Sequence, residues 1–297
     1  MVLIKSQHKK FNKNVSLAVC VEHFIAGKYE LYKNLSLQFY YYLCDIIGSE
    51  EVVRTRREIF SAKDIVDHKT LAACISSGSK AEGLDIKGSD YDQMILLSFI
   101  RVCESFNNVQ YDSDQLLLVM DTDDTKPGFT KLKLVQKSDS YMWLGRNFQY
   151  FCVFTFHYTL VTLAVQYGVL FVPIGCKNSQ NENLQWRISF SVTEKLLIHS
   201  FSHTQLLCYA LMKIILKDLI KPRHGDLLCS YFIKTIMFWL SEETHSSQWK
   251  PENMIPCFLD CIRRLIYCVE YRTCLHFLSR KITCLKTDLL IRNISHY

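Results

Sequence analysis

The rhythm of apolar and polar positions changes twice along the chain. Over Tyr29–Ile47 (YELYKNLSLQFYYYLCDII) and Glu50–Phe60 (EEVVRTRREIF) the spacing predicts two helices, the second strongly charged. After Leu71 the pattern shortens to brief apolar runs between turn signals. Ala72–Ile75, Gln93–Leu97, Leu116–Met120 and Thr130–Val135 are expected strands, and a further one covers Val169–Pro173. Between the third and fourth, Asp123-Asp124-Thr125-Lys126-Pro127-Gly128 reads as a hairpin turn.

From Trp186 onward helical spacing returns. Ser191-Val192-Thr193-Glu194 and Ser202-His203-Thr204-Gln205 both have the spacing of a capping box. Apolar residues at helical intervals follow each: Leu196, Leu197 and Phe201, then Leu206, Leu207, Leu211, Ile214 and Ile215. Asp226 is a candidate cap for a helix through Leu240, and Pro251 stands near the start of another expected to reach Leu278. The fold class that follows is α+β in two lobes. Residues 1–185 form a mixed α/β lobe with a central β-sheet and N-terminal helices, and residues 186–297 an all-α helical lobe.

Composition narrows this picture. At 297 residues each lobe can bury its own core. With 49% hydrophobic and 22% charged residues, the chain is neither a disordered tail nor a multi-span membrane protein. From Asn147 to Cys176 there is no Asp, Glu, Lys or Arg, long enough in principle to cross a bilayer. The run nevertheless carries Gln149, Thr155, His157, Thr159, Thr162 and Gln166, is rich in strand formers, and ends in Gly168 and Pro173. Buried strands are expected there, without stable membrane insertion.

Thirteen cysteines are an odd number with no Cys-x-x-Cys pair, and Lys5, Lys9, Lys10 and Lys13 break up any signal-peptide apolar stretch. Reduced thiols in the cytoplasm or nucleus are the reading. Cys257, Cys261 and Cys268, four and seven apart, make one buried helix face rather than a zinc site.

The chemistry concentrates in Ser76-Ser77-Gly78-Ser79-Lys80-Ala81-Glu82-Gly83 and Gly88-Ser89-Asp90-Tyr91-Asp92. A Gly-Ser turn after an apolar strand presents backbone N–H groups and a hydroxyl, which suits a phosphate. Asp90 and Asp92, two apart at the head of a strand, are expected on one face of it. Such paired hard oxygen ligands favour Mg²⁺ or Mn²⁺. Either motif alone is common in loops that merely cap strands; the two in this order are specific. No Gly-Lys-Ser/Thr follows, so this is not a Walker loop.

Gly78-Ser79 with Ser89-Asp90-Tyr91-Asp92 resembles the nucleotidyltransferase core of the male-abnormal-twenty-one domain family, which includes cyclic GMP–AMP synthase. The helical lobe carries the resemblance further, in Trp186-Arg187-Ile188-Ser189-Phe190-Ser191 with Glu194-Lys195, in Leu207–Lys213, in Leu228–Thr235 through Trp239, and in Pro251–Tyr271. The resemblance implies that Gly78 and Ser79 hold a donor triphosphate and that Asp90 and Asp92 bind Mg²⁺ (or Mn²⁺) and are catalytic. It implies nucleotide contacts for Arg187 and Glu194, phosphate contacts for Lys213 and Ser230, and base stacking for Tyr231. ATP and GTP are the implied substrates and a cyclic dinucleotide the product, with double-stranded RNA or DNA as the trigger of an innate immune sensor.

Two departures from the family set up an alternative. A third metal-binding acid is expected on a later strand, yet Phe151 stands there, and no Asp or Glu occurs between Asp139 and Glu182. The stretch 138–164 is foreign to the family. A catalytically impaired protein that binds nucleotide or nucleic acid is therefore the second reading. His199 and His203 are expected as surface histidines rather than a metal pair. The clusters Lys5-Lys9-Lys10-Lys13, Arg54-Arg56-Arg57 and Lys217-Lys221-Arg223-His224 are candidates for a nucleic-acid groove. The net charge of +6 permits such a partner and does not require one.

Overall fold

A computed structural model describes residues 30–68, 72–104, 116–135, 141–143, 151–155, 169–225 and 228–278. Helix α1 (residues 30–47) ends at Gly48, whose φ of 122° turns the chain into α2 (Glu50–Val66). Ser49 caps α2, its Oγ accepting from the Val52 amide at 3.4 Å, with Glu50 and Glu51 in the first turn and Lys63 in the last, as the helix dipole favours.

One curled, mixed sheet takes in the expected strands and two that the pattern does not predict, residues 141–143 and 185–189; the latter covers Trp186, where helical spacing is expected to begin. Its strands are β1 (Ala72–Ser77), β2 (Asp92–Cys103), β3 (Leu116–Asp121), β4 (Phe129–Val135), β5 (Tyr141–Trp143), β6 (Phe151–Thr155), β7 (Val169–Val172) and β8 (Gln185–Ser189). The order is β1-β2-β3-β4-β8-β7-β6, with β5 on β4, and β6 returns to pair with β2. Arg101 faces Leu117 of β3 and Phe154 of β6, while Leu97 faces Ala72 of β1 and Val153 of β6. Strand β2 is thus bordered by β1 then β3 on one side and by β6 on the other. Inside the curl lie Leu97, Ile100, Val102, Leu118, Leu132, Phe171 and Trp186.

The hairpin between β3 and β4 forms where the turn residues stand. Asp124 and Gly128 take positive φ (59° and 88°), and Thr125 Oγ1 donates to the Phe129 carbonyl at 2.9 Å. The uncharged run 147–176 contributes β6 and β7, which pair antiparallel; its other residues, Gly168 among them, apart from 173–176 lie outside the described residues. Among the described residues no helix is long and apolar enough to cross a membrane.

Among the described residues the long helices of the helical lobe are α3 (Ser191–His199), α4 (His203–Ile215), α5 (Ser230–Glu243) and α6 (Met254–Glu270), with a short helical turn at Lys221–His224 between α4 and α5. The capping box at Ser202 forms in full: its side chain accepts from the Gln205 amide, and the Gln205 side chain returns to the Ser202 amide at 2.7 Å. The one expected at Ser191 does not. The N-cap is Phe190, and the Ser191 hydroxyl bonds that of Ser189 instead. Asp226 lies outside the described residues. Helix α6 stops at Glu270, short of the expected Leu278, because Arg272 takes φ 51° and the Thr273 amide closes back on the Cys268 carbonyl at 3.0 Å. The strap Thr273–Leu278 then runs back over α5, where Trp239 Nε1 donates to the Leu275 carbonyl at 2.9 Å.

The helical core gathers Leu206, Tyr209, Phe232, Ile236, Met237, Cys257, Cys261 and Cys268, and it also takes in Leu43 and Ile47 of α1 and Val53 of α2. The N-terminal helices therefore pack against the helical lobe. The cysteine face of α6 is buried as its spacing predicts. Of the two histidines expected at the surface, His203 is buried and His199 half-buried. His203 is only 8% exposed, 3.6 Å from the Cys44 thiol, and His199 Nε2 meets the Ala81 carbonyl at 3.2 Å.

Candidate functional site

The site starts at the end of β1. Ser77 is extended, Gly78 turns at φ 81°, and Gly78–Ala81 closes a single helical turn. A Cβ on Gly78 would stand 2.8 Å from the Asp90 carbonyl oxygen, so the loop bearing Asp90 presses on a backbone that only glycine leaves clear. That loop is held by its own carboxylate. Asp90 Oδ1 accepts from the Ser79 amide at 2.9 Å and from the Ser79 hydroxyl, and the Lys80 amide donates to the Asp90 carbonyl at 3.0 Å. Burial alone would raise the Asp90 pKa. The Ser79 bonds and the charge of Lys213 outweigh it and hold the carboxyl below its usual value.

Lys213, near the end of α4, reaches across to bond the Ser79 hydroxyl. Burial lowers its pKa, opposed by Glu82 and Asp90. Beyond it α4 passes into a π-helical segment, Leu216–Ile220, which turns Lys217 onto the Lys87 carbonyl at 2.6 Å. A cleft of about 610 Å³ opens here, and Ser89, Asp90, Lys213, Lys217, Lys221 and Ser230 line it. Ser230 is the first residue of α5, a 14-residue helix whose N-terminus carries no side-chain cap. A helix N-terminus without a side-chain cap, flanked by lysines and a serine hydroxyl, suits a phosphate.

Asp92 opens β2, exposed and paired in register with Ser77. Asp90 lies just outside the strand, and its carboxylate is held by Ser79. Among the described residues no group of three or more His, Cys, Asp or Glu could hold a metal by itself. Phe151 opens β6 and lies opposite Ile95 of β2, three residues beyond Asp92, so the strand expected to supply a third acid is in place without one. Asp121 is committed elsewhere, to Lys133 at 2.8 Å and Lys131 at 3.7 Å.

The other candidate residues sit apart from this cleft. Arg187 is exposed on β8. Glu194 is buried and bonds Lys234 Nζ at 3.2 Å, and Lys234 also pairs with Glu82 Oε1 at 2.8 Å. Tyr209 donates to Glu82 Oε2 at 3.1 Å, completing a network that ties the turn after β1 to α3, α4 and α5. The paired carboxylates raise the Lys234 pKa against its burial. Glu82 and Lys234 are the residues that sequence reasoning missed; the signal was a Glu directly behind the Gly-Ser turn. Tyr231 bonds His276 of the strap through its hydroxyl and packs on that ring at 5.0 Å.

Of the expected nucleic-acid surface, Arg56 and Arg57 turn inward. Arg56 Nη1 donates to the Ile47 carbonyl at 2.6 Å, and Arg57 to the carbonyls of Glu82 (2.9 Å), Ile198 (3.2 Å) and His199 (3.3 Å). Those two arginines cap helix ends and clamp the Glu82 loop. Arg54 stays exposed beside Glu58.

Residues 205–293 match the model of the Mab-21 protein HhH/H2TH-like domain. The chain is 26% identical to cyclic GMP-AMP synthase of Mus musculus over 141 residues, covering 42% of this chain and 28% of that protein. It is 29% identical to protein mab-21-like 3 of Xenopus laevis over 108 residues, covering 35% of this chain and 29% of that one. The match thus spans under a third of the length of each relative. Over part of its length this α+β chain is thus similar to cyclic GMP-AMP synthase and protein mab-21-like 3, and its helical lobe is similar to the Mab-21 protein HhH/H2TH-like domain.

Proposed function

We propose that the cleft binds the triphosphate of ATP or GTP and that the chain is a cyclic-dinucleotide-forming nucleotidyltransferase triggered by double-stranded RNA or DNA. The observation that carries this is the convergence of Asp90, Lys213 and the α5 N-terminus at Ser230 on one cleft, with the buried Ser79 bonded to both Asp90 and Lys213 behind it. The phosphates would meet the Gly78–Ser79 turn, Lys213 and the Ser230 amide. Asp90 and Asp92 would hold Mg²⁺ or Mn²⁺, which when bound neutralises phosphate charge and favours attack by a ribose hydroxyl. The resemblance would have Tyr231 stack on a base and Arg187 and Glu194 contact the nucleotide, although none of the three lines the cleft. Cyclic GMP-AMP synthase among the relatives supports the product class.

A second reading has its own observation. Asp90 Oδ1 is already engaged by Ser79, and Phe151 stands where a third carboxylate is expected. Both features favour nucleotide binding without transfer.

Incorporation of labelled ATP and GTP, with Mg²⁺ or Mn²⁺ and with or without double-stranded nucleic acid, separates the two. A stimulated cyclic product that disappears in Asp90→Asn/Asp92→Asn is the expected outcome. No product from folded protein, with ATP binding weakened about 10- to 100-fold by Lys213→Met, establishes the binding module. ATP binding that Lys213→Met leaves unchanged overturns both.

A further inference from the structure

On the far side of α5, a second cleft of about 260 Å³ opens between that helix, α6 and the strap. Trp239, Glu243, Arg264, Cys268 and Cys274 are among its lining. Cys268 ends the buried face of α6. The closing bond from the Thr273 amide to the Cys268 carbonyl brings Cys274 back beside it, and both residues line the one cleft. Both side chains are nearly enclosed, 6% and 4% exposed. No disulfide joins them. We propose that Cys268 and Cys274 form an oxidisable dithiol, converted to a disulfide by a hydroperoxide small enough to enter this cleft.

The contrast with neighbouring thiols singles the pair out. Cys257 on the same helix face is pushed up to about 12 by burial and by Cys261, and burial raises Cys208 well above its ordinary value. Burial thus disfavours the thiolate in both. Cys268 moves the other way: the hydrogen bond from Cys274 lowers its pKa, burial opposes this, and Arg264 adds to the lowering. Arg264 is anchored by its ion pair with Glu243.

The chemistry balances with hydrogen peroxide as the oxidant. The Cys268 thiolate attacks one peroxide oxygen, the O–O bond breaks, and the departing hydroxide takes a proton to become water, leaving a sulfenic acid. Cys274 sulfur attacks the sulfenic sulfur, the S–O bond breaks, and the hydroxyl leaves as water with the Cys274 proton. Two thiols lose two electrons and the peroxide becomes two waters. The resulting bond would fasten to α6 the strap that carries Leu275 onto Trp239 and His276 onto Tyr231.

The test uses the full chain, treated with hydrogen peroxide at neutral pH, alkylated and mapped by non-reducing peptide mass spectrometry. A Cys268–Cys274 disulfide is expected as the main intramolecular product. In Cys274→Ser the reaction stops at a sulfenic acid that dimedone traps on Cys268. Arg264→Gln slows the oxidation about 3- to 10-fold at pH 7 and moves the midpoint of its pH profile upward. Oxidation of Cys229 or Cys176 while Cys268 and Cys274 remain alkylatable overturns the proposal, as does pairing of Cys268 with any other cysteine.

Discussion

His276 shows how far enclosure can change a single side chain. Its Nδ1 accepts from the Leu278 amide at 3.2 Å, which leaves the proton of the neutral ring on Nε2, facing the Tyr231 hydroxyl. Phe190 closes a third side at 5.4 Å. Burial pushes its pKa down to about 4, against 6.5 for a free imidazole. Between those values the unfolded chain binds the proton and the folded one does not, so stability falls as pH drops from 6.5 toward 4. At pH 5 the loss from this one group is about 2 kcal/mol. Urea unfolding of wild type at pH 7 and pH 5 should show it, and His276→Gln should remove that share of the difference. An equal pH dependence in both proteins would mean that His276 titrates normally.

At the scale of elements, local signals decided where the sequence could be read. Ser202 and Gln205 sit at both ends of a reciprocal cap, and Gln205 also donates to Ser241 of α5 at 3.1 Å. Ser202→Ala is expected to cost about 1 kcal/mol and lower the melting temperature by about 2–4 °C, measurable by calorimetry. The hairpin at Asp123–Gly128 was equally legible, because its turn residues act within a few positions of one another. The Gly78–Ser79 turn and Asp90 could be placed together from their order along the chain. What could not be read depends on partners far away in sequence. Nothing near Arg56 and Arg57 distinguishes an inward clamp on Ile198 and His199 from a solvated basic face. Ser191 has the same spacing as Ser202, yet β8 delivers the chain to α3 at Phe190, and the cap never forms. Nor does any local pattern assign Glu194 to Lys234, 40 positions on.

At the scale of the whole molecule, Glu82 is where the turn after β1 meets the helical lobe. Its carboxylate takes Tyr209 from α4 and Lys234 from α5, and its backbone carbonyl takes Arg57 from α2. Glu82→Ala would strip a nearly enclosed ammonium of one of its two carboxylates and leave the Tyr209 hydroxyl without that acceptor. The expected loss is about 3 kcal/mol by urea unfolding, with Glu82→Gln in between because it keeps a hydrogen-bonding side chain. If both variants match wild type, the network does not hold the lobes together.

The curl that returns β6 to β2 has a consequence for how the molecule is made. On the ribosome β2 appears early, but the strand on its second side ends only at Thr155, and the ring closes through β7 and β8 at Ser189. At about 5–20 residues per second, the interval from Cys103 to Thr155 leaves one edge of a twelve-residue strand bare for roughly 3–10 s. That edge belongs to the strand that Asp92 opens, and a long unpaired strand edge invites pairing with a second nascent chain. Leu43 and Ile47 wait longer still, until α4 and α6 arrive to cover them. Both cores are sealed late in translation, so a helper that shields nascent strand edges should govern the yield of this protein more than the speed of its final folding.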